Sequence, residues 1–213
     1  LTVMMFDWLH GSKGDGDGAG KNGDPANGVS ADFGSSGCAQ HTKGMVQEYL
    51  GPNGVPVPAD PFPENCKITT HLAQWFLPEV ITTKNGVPYT NATCRSIELQ
   101  LQNDGLWLGQ KDDNSTEGGL FLLDDFEYLD AEKTLKNPYF DNLSGKGNKR
   151  HNFGFTMKIQ ATFEYIPGQY FEFNGDDDVW VFINNRLVVD IGGQHTKVFG
   201  AVDLDTLGLQ EGL

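Results

Sequence analysis

The chain has 213 residues, of which 38% are hydrophobic and 11% aromatic, so it is long enough to form a large domain with a core. Its formal net charge of −14 argues against nucleic acid as a partner, because a phosphate backbone would be repelled. No stretch approaches the ~20 apolar residues of a membrane helix, so we expect no membrane insertion of this segment. The 27 Gly and 10 Pro residues favour many turns and short strands.

The first half of the chain predicts long loops with a few short elements. Residues 11–37 are rich in Gly, Asp and Asn, a composition typical of a surface loop. Three short elements are predicted after this loop: a helical turn at 44–50, a short helix between Thr70 and Pro78, and a strand over 96–101.

Three cysteines, Cys38, Cys66 and Cys94, are spaced too widely for a close metal-binding pair. In an oxidising compartment this number predicts one disulfide and one remaining thiol, and the spacing does not decide which two cysteines pair. Cys38 and His41 could alternatively form a thiol–imidazole pair, but nothing in the sequence orients the imidazole. The sequence also has no phosphate-binding loop, zinc-protease motif or nucleophile elbow, so we expect a protein that is not an enzyme.

The second half has the clearest strand pattern. From Phe153 to Tyr165 every second residue is apolar, which predicts a long strand with one buried face. A turn at Pro167 leads into a second strand, and residues 179–183, apolar on both faces, predict a fully covered central strand. Asn184 and Asn185 then predict a tight hairpin. Together these patterns predict an all-β antiparallel sandwich or barrel.

The predicted core follows from the same alternation. We expect it to include eight residues: Phe153, Phe155, Met157, Ile159, Phe163, Val179, Val181 and Ile183. Trp180 and Phe182 are also expected to be core residues and not sugar-stacking platforms.

Asp176, Asp177 and Asp178, called the acidic turn below, lie between two predicted strands. Three consecutive carboxylates repel one another, and their apolar flanks offer little solvation, so a bound cation would favour this arrangement. The alternative is an acidic turn that caps exposed backbone amides. Two other acidic pairs are rival cation sites: Asp112-Asp113 and Asp124-Asp125.

Several segments together resemble the fibro-slime family, a branch of the β-sandwich domains of the anthrax protective-antigen type, which also include the yeast flocculins. The matching stretches are residues 151–163, 171–184 and 187–195, with weaker similarity at 44–46 and 54–56. The resemblance implies a single domain over 1–213. Residues 1–150 would be its loop-rich part, 151–213 would carry the core strands and the acidic metal loop, and a closing strand is expected after 213.

The resemblance also implies a calcium site. In the related lectins two adjacent Asp residues, joined by a cis peptide bond, bind a Ca²⁺ ion that holds sugar hydroxyls. Alignment places this pair at Asp176 and Asp177. Ca²⁺ takes about six to eight oxygen ligands and two carboxylates supply at most four, so further ligands are expected from a later loop. The expected contacts with the bound sugar come from four further residues: Asp178, Gln194, His195 and Trp107.

We therefore expect an extracellular, calcium-dependent carbohydrate-binding module of a cell-surface or secreted protein, of the lectin or adhesin type. Its expected cofactor is Ca²⁺, and its expected partners are a glycan or polysaccharide and other surface or matrix proteins. The alternative is a structural or assembly module in which calcium only stiffens the fold. His195 could likewise be a turn residue held by backbone hydrogen bonds. A third reading, the accessory half of a catalytic domain, lacks any catalytic motif.

Overall fold

The computed structural model describes residues 1–7, 9–10, 29–30, 38, 40–66, 72–78, 80–82, 88–109, 122–123, 155–193 and 195–212. Within these residues the chain forms short strands, which in order are β1 (Thr2–Asp7), β2 (Leu9–His10), β3 (Val29–Ser30), β4 (Val80–Thr82), β5 (Pro88–Thr90), β6 (Ala92–Ser96), β7 (Leu99–Leu101), β8 (Trp107–Gly109), β9 (Phe155–Ile159), β10 (Tyr170–Gly175), β11 (Val179–Ile183), β12 (Arg186–Ile191) and β13 (Val198–Asp203).

The described part of the chain is all-β, as predicted. Its helical elements are two 3₁₀ turns, Leu72–Phe76 and Leu204–Leu207. All the strand pairs are antiparallel except the pairing of β2 with β3. No helix in these residues is both long enough and apolar enough to cross a membrane.

Spatial proximity divides the chain into two compact units. The first combines Leu1–Ala31 with Trp75–Gln160, and the second combines Asp32–Gln74 with Ala161–Leu213. The expectation of a single domain over 1–213, of the protective-antigen type, stays a prediction.

β1 is the middle strand of the first unit. It pairs with β6 on one side and with β9 on the other, in the order β6-β1-β9. Val3 and Met5 point to the same face because side chains alternate along a strand, and both are fully buried. They pack in a cluster with Ile97 and Leu123. This cluster is the hydrophobic core of the first unit, and no strand was predicted from the sequence of β1.

Two antiparallel pairs, β10–β13 and β11–β12, make up the sheet structure of the second unit. They pack against each other through Gly200 of β13. A Cβ atom at Gly200 would lie 2.7 Å from Cδ1 of Ile191 and 2.8 Å from Cγ1 of Val189, so only glycine allows β12 and β13 to come this close. Val189 and Ile191 are buried by this contact.

Residues 42–50, called the bridging segment below, run antiparallel beside β12. Thr42 bridges Gly192 and Tyr49 bridges Arg186, and the Leu187 amide donates to the Glu48 carbonyl at 2.7 Å. β12 therefore has a hydrogen-bonded neighbour on each side, β11 and the bridging segment. The helical turn predicted at 44–50 is wrong, because these backbone groups bond to another part of the chain instead of to one another.

The long strand predicted from Phe153 to Tyr165 is shorter in the structure. β9 covers Phe155–Ile159, and residues 160–166 are not in a strand. Ile159 is 43% exposed and Phe163 is 47% exposed, so the prediction that they are core residues is wrong. Alternation along the sequence does not say where a strand stops pairing.

The remaining core predictions hold in part. Phe155 and Met157 are half-buried and pack against the cluster around Val3 and Met5. All five residues of β11 are half-buried, so this strand is not the fully covered one expected. The predicted hairpin is confirmed, since Asn184 and Asn185 have φ angles of 48° and 67° between β11 and β12. Phe153 lies outside the described residues.

Candidate functional site

The acidic turn connects β10 to β11 in the second unit. β10 ends at Gly175 and β11 begins at Val179, so Asp176, Asp177 and Asp178 occupy the whole connection. All three residues are exposed to solvent. The short connection holds three carboxylates close together at one end of the β11–β12 hairpin.

The surroundings of the acidic turn disfavour its negative charge. Desolvation raises the pKa of Asp178 to about 6, and the neighbouring carboxylates of Asp177 and Asp190 add to the effect. Desolvation and then the charge of Asp176 raise the pKa of Asp177. His195 lowers both pKa values, and solvent screens part of each effect because the residues are exposed. A bound cation would relieve this repulsion.

Asp178 is also attached to the loop that follows β12. The backbone amide of Gly193 hydrogen-bonds to its carboxylate, which lowers the pKa of Asp178 and opposes the desolvation. Gly193 has a φ of 81°, and a Cβ there would lie 2.3 Å from the carbonyl oxygen of Gln40. Glycine is needed at this position both for the backbone angle and for the close approach of Cys38 and Gln40.

Asp190 on β12 accepts hydrogen bonds from both neighbours of that strand. It lies opposite Trp180 in the β11–β12 register, and the indole Nε1 donates to its Oδ1 at 3.1 Å. Its Oδ2 accepts from the backbone amide of Gly44 at 2.7 Å. Asp190 thus ties β11, β12 and the bridging segment together, and its negative charge reaches Asp178.

His195 lies close to His41. Their ring centres are 5.4 Å apart and the ring planes meet at 78°. Nδ1 of His195 is 2.8 Å from the carbonyl oxygen of Thr196, while its Nε2 is buried and has no hydrogen-bond partner among the described residues. The prediction placed His195 at this end of the fold, but the sequence did not reveal His41 as its neighbour.

The ligand contacts predicted for Trp107 and Gln194 stay predictions. Trp107 is 63% exposed and lies on β8 of the first unit, opposite Leu101. Gln194 lies outside the described residues, as do the rival pairs Asp112-Asp113 and Asp124-Asp125. Trp180, expected in the core, is half-buried.

The structure differs in one respect from the calcium site that the resemblance implied. In the described part of the chain the cis peptide bond is Asp60–Pro61, and the bond between Asp176 and Asp177 is trans. The donor set itself suits Ca²⁺, which prefers carboxylate oxygens. Within the residues that the structure describes, no group of three or more His, Cys, Asp or Glu side chains is arranged to hold a metal ion.

The cysteine pairing is resolved. Cys38 and Cys66 form a disulfide, and Cys94 on β6 is free and exposed, as expected for one bond and one remaining thiol. Cys38 therefore has no thiol to pair with His41, and the thiol–imidazole alternative is wrong. The disulfide fixes residue 38 beside the Gly192–Gly193 pair, since a Cβ at Gly193 would lie 2.8 Å from Cβ of Cys38.

The chain is similar to psi proteins of Dictyostelium discoideum. It is 33% identical to protein psiR over 186 residues, which covers 85% of this chain and 17% of psiR. It is 34% identical to protein psiD over 178 residues, or 80% of this chain and 31% of psiD. With protein psiJ the identity is 45% over 92 residues, or 43% of this chain and 13% of psiJ. The chain thus spans less than a third of the length of these relatives.

No known family profile matches the chain, and no solved structure matches it.

Proposed function

We propose that this chain is an extracellular, calcium-dependent carbohydrate-binding module, with Asp176 and Asp177 as the metal ligands. The observation that carries the proposal is the placement of three consecutive carboxylates in a connection only three residues long, where desolvation raises the pKa of Asp177 and Asp178. Carboxylates held together against their own repulsion gain stability from a divalent cation. The hard oxygen donors favour Ca²⁺ over softer metals.

A sugar would complete the coordination of the metal. The carboxylates of Asp176 and Asp177 offer at most four oxygens, whereas Ca²⁺ takes about six to eight, so positions remain for hydroxyl groups and water. Asp178 follows the two proposed ligands, and His195 interacts electrostatically with Asp177 and Asp178, so both are proposed to lie near a polar ligand. Gln194 and Trp107 are the other proposed ligand contacts, and the partner is a glycan or polysaccharide.

The Cys38–Cys66 disulfide supports a location outside the cytosol, because disulfides persist in oxidising compartments. The relatives are several times longer than the segment they share with this chain, which supports a module within a larger protein. We propose no catalytic activity for this module, no nucleic-acid partner and no membrane insertion of this segment.

A glycan array read with millimolar Ca²⁺ and again with a calcium chelator tests the proposal. We expect binding to a defined set of glycans in Ca²⁺, its loss in chelator, and its loss in the Asp177→Asn variant. Binding that is equally strong in chelator would contradict a calcium-mediated sugar contact.

The alternative is a structural or assembly module of a surface filament or secreted matrix, in which calcium only stiffens the fold. The observation in its favour is the hydrogen bond from Gly193 to Asp178, which joins the acidic turn to the loop after β12. This alternative predicts an empty glycan array together with a higher melting temperature in Ca²⁺.

A further inference from the structure

We propose that His41 and His195 form a second metal site, which binds a divalent transition metal such as Zn²⁺ through two imidazole nitrogens. This site is separate from the oxygen-donor calcium site proposed above, and it does not depend on that proposal. The observations that support it are the tautomer of His195, the distance between the two rings and the charge around them.

The hydrogen bond of His195 determines which of its nitrogens can bind a metal. Nδ1 lies 2.8 Å from the carbonyl oxygen of Thr196, and a carbonyl oxygen only accepts, so Nδ1 carries the hydrogen. In the neutral ring the lone pair is then on Nε2. In metal-binding histidines, the ring nitrogen that does not bind the metal usually donates a hydrogen bond to a carboxylate, a backbone carbonyl or water.

Nε2 of His195 is a buried acceptor that the described residues do not satisfy. A buried polar atom without a partner costs stability, so such atoms are uncommon unless a ligand, ion or water completes them. Each ligand of a tetrahedral zinc binds at ~2.0–2.1 Å, which places the centres of two coordinating imidazole rings ~5 Å apart. The rings of His41 and His195 are 5.4 Å apart.

Charge near the pair also favours a cation. Asp178, which is not one of the proposed calcium ligands, interacts electrostatically with His195, and its negative potential would attract a metal ion. Two imidazoles fill two of the four positions of a tetrahedral zinc. The other positions go to water or to a donor atom of a bound ligand, which agrees with the lack of any three-residue cluster among the described residues.

Calorimetric titration of the 213-residue chain with ZnCl₂ tests this site, with millimolar Ca²⁺ present to fill the oxygen-donor site. We expect one Zn²⁺ per chain, and at least tenfold weaker binding in His41→Gln and in His195→Gln. Each substitution removes one of the two proposed ligands, and loss of even a group that supports a ligand weakens metal binding about 10- to 100-fold. His10→Gln, which changes another of the five histidines, is the control and should bind like the wild type. Unchanged Zn²⁺ affinity in both variants, or no Zn²⁺ binding by the wild type, overturns the proposal.

A measurement on the unmodified protein covers the case in which a variant fails to fold. Long-range ¹H–¹⁵N NMR spectra report the state of each ring nitrogen, and Zn²⁺ should shift Nε2 of His195 while its Nδ1 remains protonated. His41 should shift in the same titration, and the other histidines should not. Shifts confined to other histidines, or none at all, would overturn the site.

Discussion

Trp180 and Asp190 face each other across the β11–β12 hairpin, and the indole Nε1 donates to Oδ1 of Asp190 at 3.1 Å. The second oxygen of Asp190 accepts from the amide of Gly44 at 2.7 Å. One carboxylate therefore joins both strands of the hairpin to the bridging segment. The acidic turn before β11 and the loop of His195 after β12 lie at the same end of this hairpin, where Val179 pairs with Ile191, so their positions depend on this connection.

Replacement of Asp190 with Asn should destabilise the protein by about 1–3 kcal/mol, because an amide nitrogen cannot accept the hydrogen bond from Gly44. Equilibrium unfolding in urea measures the change. Glu172→Gln removes one negative charge from an exposed residue of β10 and is the matched control, for which we expect a change below about 0.5 kcal/mol. Equal effects of the two substitutions would show that Asp190 contributes only charge.

Alanine substitutions at two glycines should separate backbone strain from steric overlap. Gly168 has a φ of 88° with no atom within 4 Å of a Cβ, so Gly168→Ala should cost only the strain of about 1–2 kcal/mol. Gly193 has a similar φ, but its Cβ would lie 2.3 Å from the Gln40 carbonyl oxygen. Gly193→Ala should therefore cost clearly more in urea unfolding. Similar losses for both variants would mean that Cys38 and Gln40 can move away from Gly193 without cost.

Loss of the Cys38–Cys66 disulfide should lower the free energy of unfolding. The two cysteines are 28 residues apart, and the loop-closure entropy of such a cross-link corresponds to about 3–4 kcal/mol. Urea unfolding of the Cys38→Ser/Cys66→Ser double variant measures this loss. Cys94→Ser, which removes the free thiol, should unfold like the wild type. A double variant as stable as the wild type would contradict a stabilising role for the bond.

Protonation of Asp205 should lower the stability of the protein in acid. Its carboxylate accepts hydrogen bonds from the Gly168 amide and the Tyr165 hydroxyl, both at 2.8 Å, and these lower its pKa below the ordinary value of 3.8. A lowered folded-state pKa means that the stabilisation is present above pH 3.8 and is lost as the pH falls through the folded value. Wild type should thus be more stable than Asp205→Asn at neutral pH. This difference should shrink below about pH 4, and a difference independent of pH would contradict the account.

Parts of the second unit could be predicted from sequence because local rules determine them. Asn184 and Asn185 tolerate positive φ and give the hairpin, and the apolar run before them gives β11. The prediction of one disulfide and one remaining thiol was also correct, although the sequence did not identify which two cysteines pair. The choice of Cys38 and Cys66 depends on how distant parts of the chain pack, and no local pattern encodes that.

The errors have a common physical origin. Residues 44–50 could form a helical turn on their own, but hydrogen bonding to β12 prevails, and this depends on residues more than a hundred positions away. β9 ends at Ile159 because this residue pairs with Val3, near the first residue of β1, and β1 offers almost no further partner beyond it. Likewise, His41 and His195 are neighbours only because the bridging segment lies along β12.

Calcium binding at the acidic turn is the central proposal, and calorimetric titration of Ca²⁺ into wild type, Asp177→Asn and Asp124→Asn tests it most directly. We predict binding by the wild type and by the Asp124 variant, and loss of binding by the Asp177 variant with its fold intact. In a thermal melt, Ca²⁺ at a hundredfold excess over Kd should add about 2.7 kcal/mol to the stability of the wild type. Normal binding by the Asp177 variant, with loss in the Asp124 variant, would contradict the assignment.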